Sequence, residues 1–137
     1  MSAARWTSAD LADLKSKRLD KKAKAQPKAE TAARITQNIL RMVNMQPGCT
    51  AYRINNVGVW DAEKQIHRRG GTKKGISDIA ATIRGRACWI EVKAGKDAMS
   101  DDQIYFQDDQ RRAGALCFVA RGSDEFARWF TEILKTI

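Results

Sequence analysis

Apolar positions in this chain switch between two spacings, and each switch marks an element. Ala32, Ile35, Ile39, Met42 and Val43 recur at helical spacing and predict an amphipathic helix over 28–44, ended by Pro47-Gly48. From 49 to 54 the pattern alternates, with Tyr52 and Ile54 on one side, as in a strand. Residues 76–83 and 87–93, rich in Ile, Val, Thr and Trp, predict two more strands. Arg84-Gly85 between them predicts a two-residue hairpin turn, although it is not the favoured Asn-Gly. Ser100 opens a helix expected to reach residue 113, with Gly114 as its stop. Residues 115–120 form an apolar, buried strand, and Ser123 caps a last helix carrying Phe126, Trp129, Phe130, Ile133 and Leu134, whose aromatics belong to the core. The order α-β-β-β-α-β-α predicts an α/β protein, a mixed sheet flanked by helices. Residues 55–72 fit neither spacing and read as a continued hairpin or a long loop, broken at Gly70-Gly71.

The hairpin register carries the chemistry. A two-residue turn at 84–85 sets Asp78 opposite Glu91 on one face of the sheet, their Cβ atoms about 5 Å apart. Lys93, two residues beyond Glu91, shares that face, while Ile79, Ala81, Ile83, Cys88, Ile90 and Val92 share the other. Aspartate is disfavoured in strands. Glu91 is a lone charge among Trp89, Ile90 and Val92, and a buried, unpaired carboxylate is costly unless a cation or Lys93 offsets it. A hard divalent cation with oxygen ligands would relieve two carboxylates facing each other. The plainer reading, an exposed Glu91–Lys93 pair contributing about 0–1 kcal/mol, leaves Asp78 unexplained. Ser100-x-x-Gln103 reads as a capping box, with Asp101 and Asp102 suited to the helix N-terminus.

Composition narrows the setting. A length of 137 residues predicts one domain, and 43% hydrophobic content fits a globular protein. No apolar run approaches the ~20 residues of a membrane span, and the opening Met1 to Trp6 lacks the apolar stretch of a secretory signal. Cys49, Cys88 and Cys117 are odd in number and lack metal-ligand spacing, so they read as reduced thiols in a cytoplasmic protein. His67 is the single histidine and reads as a loop residue; one histidine excludes the usual zinc sites and disfavours a histidine-based triad.

A net charge of +9 points to a polyanionic partner, most often nucleic acid. Residues 1–28 form a basic N-terminal arm, either helical or mobile, with Leu11, Leu14 and Arg18 at helical spacing, Thr7 or Ser8 as cap, and Pro27 closing it. Arg53, Lys64, Arg68, Arg69, Lys73 and Lys74 are the candidate phosphate contacts of the remaining chain. Trp6, Trp60, Trp129 and Phe130 are more large rings than so small a core readily hides, which is expected of an interface.

Taken together, Gly75-Ile76-Ser77-Asp78, Glu91-Val92-Lys93 and Ser100-Asp101-Asp102-Gln103 resemble the PD-(D/E)xK nuclease superfamily, and within it the VRR-NUC (virus-type replication-repair nuclease) family of phages, bacteria and eukaryotic repair proteins. The likeness spans residues 30–126, and Arg53-Ile54-Asn55 and Gly114 also look like the small stand-alone members. Ser77 stands where the superfamily's name has proline. The resemblance implies a restriction-endonuclease-like core within residues 29–137. It implies Mg²⁺ or Mn²⁺ held by Asp78, Glu91 and the carbonyl of Val92, with Lys93 contacting the phosphate or orienting water. Gln103 would stand beside the metal or the attacked phosphate, in competition with its capping role. Glu30 would be a further acidic ligand or water contact, or else an exposed glutamate at a helix start. The implied activity is structure-specific DNA cleavage, by a homodimer on branched DNA such as four-way (Holliday) junctions. A non-catalytic nucleic-acid-binding module on the same fold is the second reading, and a basic structural protein the third.

Overall fold

The computed structural model describes residues 7–24, 29–54, 59–68 and 73–137. Helix α1 (Ser8–Lys24) takes up most of the basic arm. Thr7 Oγ1 accepts from the Asp10 N–H while the Thr7 N–H donates to Asp10 Oδ2, a reciprocal cap. Side chains of α1 as far as Lys17 are all exposed, Leu11 and Leu14 included, so this part adds nothing to the core. Trp6 and Pro27 lie outside the described residues.

Helix α2 (Ala32–Asn44) starts at Thr31, whose hydroxyl accepts from the Arg34 N–H. Ile35, Ile39 and Val43, four apart, are fully buried, whereas Ala32, expected in the same stripe, is exposed. The Asn44 side chain bonds both backbone groups of Ala51 (2.9 and 3.0 Å) and ties the helix end to strand β1 (Cys49–Arg53). Strands β2 (Val59–Asp61) and β3 (Ile66–Arg68) form a two-stranded sheet of their own. The described part of the ambiguous stretch, 59–68, is thus a separate hairpin, and His67 sits in a strand opposite Trp60 rather than in a loop.

Strands β4 (Ile79–Ile83), β5 (Arg86–Val92) and β6 (Leu116–Ala120) complete a mixed sheet of order β1-β4-β5-β6. Only β5–β6 is parallel, and helix α3 (Asp101–Arg112) makes its crossover. Helix α4 (Ser123–Thr136) closes the chain. Apart from α1 and the β2–β3 hairpin, the elements follow the expected order. In the β4–β5 turn, Arg84 and Gly85 both have positive φ (48° and 84°), the primed geometry that matches strand twist. Arginine is strained there, but its guanidinium donates to the carbonyls of Leu134 and Ile137 at the end of α4 (2.7 and 3.0 Å).

The apolar face of β4 and β5 packs in one cluster with α2 and α4, and its residues are those that alternation assigns: Ile79, Ala81, Ile83, Cys88, Ile90 and Val92. Burial pushes the Cys88 thiol up to about 12, so it is inert; Cys49 and Cys117 are half-buried, and all three are free. Phe126 and Phe130 are buried, and Trp129 stacks on Phe118 with centroids 4.6 Å apart. Two of the four rings expected at an interface are therefore spent inside the chain.

Ser123 does not cap α4 as expected. Gly122 occupies the cap position without a side chain to offer. Glu30, just before α2, supplies the cap from across the fold: the Ser123 N–H donates to Glu30 Oε1 (2.9 Å) and the Ser123 hydroxyl to Glu30 Oε2. Asn38 Nδ2 donates to both partners. Those bonds hold the Glu30 carboxyl below its ordinary range. Replacing Glu30 with alanine is expected to lower the melting temperature by a few degrees, as loss of a helix cap does. Because the carboxyl is depressed, the native protein should lose this contribution as pH falls through the acid range, and the variant should not.

Candidate active site

Extending the β4–β5 register one step past Ile79↔Ile90 brings Asp78 opposite Glu91. The Val92 N–H donates to Asp78 Oδ2 (2.9 Å), and the Ile54 N–H donates to the Asp78 carbonyl (2.7 Å), so the residue is held from β5 and from β1. Glu91 is 2% exposed. Its Oε1 accepts from Gln103 Nε2 (3.0 Å) and lies 3.9 Å from Lys93 Nζ. Its Oε2 is buried with no hydrogen-bond partner among the described residues. The Lys93 N–H donates to the Ala120 carbonyl (2.9 Å), which anchors the strand end while its side chain stays partly exposed.

Gln103 divides its amide between the helix cap and Glu91. Its carbonyl oxygen accepts from the Ser100 N–H (2.9 Å) and completes the capping box, while its NH₂ serves Glu91. Helix α3 lies over this face of the sheet. Phe106 is buried edge-on against Trp89, Trp89 Nε1 donates to Gln110 Oε1 (2.8 Å), and Gln107 Nε2 donates to the Phe118 carbonyl. Sequence reasoning missed Gln107 and Gln110. The available signal was three glutamines at 103, 107 and 110, which share one helix face.

The loop into Asp78 presses on the start of the same helix. Gly75 has φ +78°, and a Cβ there would stand 2.1 Å from the Asp102 carbonyl oxygen. Lys74 pairs with Asp102 (3.2 Å). Of the other predicted contacts, Arg53, Lys64 and Lys73 are exposed. The Arg68 side chain and Arg69, like Asn55 and Gly70-Gly71, lie outside the described residues. Glu30 caps α4, with its carboxylate oxygens engaged by Ser123 and Asn38.

No protein-family model matches the chain, and no curated protein matches it.

The electrostatics of the pair are unfavourable without a cation. Burial first, then the adjacent Asp78 carboxylate, push the Glu91 carboxyl up to about 8, and Lys93 opposes them only in part. An orphaned, buried carboxylate oxygen beside a second carboxylate fits a hard cation. Among the described residues no group of three or more His, Cys, Asp or Glu side chains is placed to hold a metal. Two carboxylates suit Mg²⁺ or Mn²⁺, which keep several waters or phosphate oxygens instead of a full protein cage.

Between the ordinary 4.5 and about 8, folded Glu91 keeps a proton that the unfolded chain has released. The metal-free protein should therefore lose stability as pH rises through that window. Glu91→Gln should flatten the decline, and added divalent cation should reverse it in the native protein, with cation affinity rising with pH because binding displaces the proton. Thermal melts across the window, with and without Mg²⁺, check all three expectations.

Proposed function

We propose that this protein is a metal-dependent DNA endonuclease that hydrolyses phosphodiester bonds. The observation carrying the proposal is Glu91: a buried carboxylate with one free oxygen, opposite Asp78 and beside Lys93. An isolated arrangement of this kind is costly, and a bound cation gives it a purpose. The likeness of the three motifs to VRR-NUC nucleases supports the reading, as does the element order, which suits a restriction-endonuclease-like core.

Asp78, Glu91 and the Val92 carbonyl would hold Mg²⁺ or Mn²⁺, which supplies Lewis-acid polarisation of the phosphate and a more acidic bound water. Gln103 orients Glu91 through its NH₂ group while its carbonyl locks it to the helix cap. Lys93 presents its ammonium at the partly exposed end of the site, where it stabilises charge developing on the phosphate. Beside the Glu91 carboxyl at 3.9 Å, the ammonium suits positioning and charge stabilisation better than a general-base role. The basic arm and Arg53, Lys64 and Lys73 offer phosphate contacts without base readout.

Four-way junctions are the proposed substrate and a homodimer the proposed assembly, since paired cuts on opposing strands need two sites related by symmetry. With Trp129 and Phe130 packed inside, the dimer rests on that geometry and on the resemblance, and light scattering with and without junction DNA tests it. No helix among the described residues is long and apolar enough to cross a membrane, which is compatible with the proposed cytoplasmic setting.

The test is cleavage of single-stranded, duplex, flap and four-way junction DNA with Mg²⁺ or Mn²⁺. Cation-dependent cutting that is strongest on the junction is the expected result. DNA binding without cutting of any substrate would favour the non-catalytic module.

A further inference from the structure

The sheet face that carries Asp78 and Glu91 is only half covered. Three rows of residues cross it. Ile54, Asp78 and Glu91 form the first, at the candidate site; Tyr52, Ala80 and Trp89 form the second; Thr50, Thr82 and Ala87 form the third, next to the β4–β5 turn. Helix α3 lies over β5 and β6, where Phe106 and Gln110 close on Trp89 and Gln107 reaches the Phe118 carbonyl. Helices α2 and α4 pack against the opposite face. Towards β4 and β1 the floor is open: Thr50, Tyr52 and Thr82 are exposed, Tyr52 by 61%.

Tyr52 stands next to the candidate site. It pairs with Ala80, so Asp78 is its diagonal neighbour on the adjacent strand, with Cβ atoms roughly 7–8 Å apart, a gap that an aromatic side chain spans. Among the described residues Tyr52 makes no hydrogen bond and no ring contact, so the fold makes no use of its hydroxyl. The floor around it, Thr50, Ala80, Thr82 and Ala87, carries no charge to repel a phosphate. Its threonine and tyrosine hydroxyls are the neutral donors that bond phosphate oxygens without reading bases. The open floor is also continuous with the candidate site. A strand whose phosphate sits at Asp78 and Glu91 meets α3 on the β5 side, and it can continue over the sheet only across β4 and β1. A docking protein helix would call for an apolar floor instead of threonines.

We infer that the open half of this face is the track for the DNA strand next to the scissile phosphate. The Tyr52 ring lies against a deoxyribose, and its hydroxyl, with those of Thr50 and Thr82, bonds phosphate oxygens. This rests on the reading of the protein as a nuclease acting at Asp78 and Glu91, and it deepens that reading by giving the bound strand a direction across the sheet. Tyr52 is then a substrate-binding residue, distinct from the groups that hold the cation.

The experiment uses the full chain without divalent cation, so that binding is read apart from cleavage. The chain has two tyrosines, Tyr52 and Tyr105, both exposed, so both should nitrate in the free protein. Saturating four-way junction DNA should protect Tyr52, as read by peptide mass. Tyr52→Glu should lower affinity for the junction by at least about tenfold, since it sets a carboxylate against the backbone. Thr131→Glu is the control: it makes the same charge change on α4, on the other side of the sheet, where the Thr131 hydroxyl bonds only the Ala127 carbonyl of its own helix. Its affinity should stay within about twofold of native. Equal losses in the two variants would mean that net charge alone is felt, and would overturn the inference. So would full nitration of Tyr52 under saturating DNA, a result that needs no variant to fold. A protein whose Tyr52 is protected but which never cuts with Mg²⁺ or Mn²⁺ would remove the nuclease reading and leave the DNA track standing. One that cuts while Tyr52 stays unprotected would do the reverse.

Discussion

Alanine at Asp78 or at Glu91 is expected to lower cleavage by more than about a hundredfold while DNA binding survives. Groups that merely orient a metal ligand typically cost 10–100-fold when lost, and these two carboxylates would be the ligands themselves. Binding survives because removing a carboxylate also removes repulsion towards phosphate. Gln103→Ala should fall in the lesser range, since it orients Glu91 through a single bond of 3.0 Å. Single-turnover cleavage and anisotropy on the same junction DNA separate the two effects. Cutting at the native rate by Asp78→Ala would show that the site lies elsewhere.

The second large effect is structural. Gly75→Ala should destabilise the protein by on the order of 3 kcal/mol or more, through a strained left-handed backbone and a collision with the first turn of α3. The added Cβ would meet the Asp102 carbonyl carbon at 2.4 Å and the Gln103 nitrogen at 2.9 Å, and backbone atoms cannot swing aside as a side chain can. Relief would require the Asp78 loop and α3 to separate, which would also pull Gln103 from Glu91, so cleavage should fall with stability. Gly85→Ala is the control. Its φ is similarly positive (84°), but nothing lies within 4 Å of the added carbon, so it reports strain alone. Equal losses for the two variants in urea denaturation would mean that the loop does not press on the helix.

How much of this was legible beforehand depends on the distance over which each feature is encoded. Asp78 opposite Glu91, with Ile79, Ala81, Ile83, Cys88, Ile90 and Val92 behind them, follows from a period of two and a two-residue turn, both local properties of residues 78–92. The stripe Ile35, Ile39 and Val43, the Ser100 cap and the stop at Gly114 are equally local, and the chain's own spacing determined them.

Tertiary structure decided which surfaces meet. Glu30 caps a helix that begins 93 residues later, because the packing of α2 beside α4 brings a carboxylate to bare N–H groups that Gly122 cannot satisfy. Gln103 serves the cap and Glu91 together because α3 lies over the polar face of β5; its capping box would read the same with no sheet beneath it. Trp129 and Phe130 are core residues and Trp60 is a surface one, though all three are large apolar rings in the sequence. Periodicity states which side of an element is apolar. Which neighbour covers that side is set by the packing of segments far apart in the chain, and so the partners, the burial of Glu91 and the exposure of Trp60 belong to the folded protein alone.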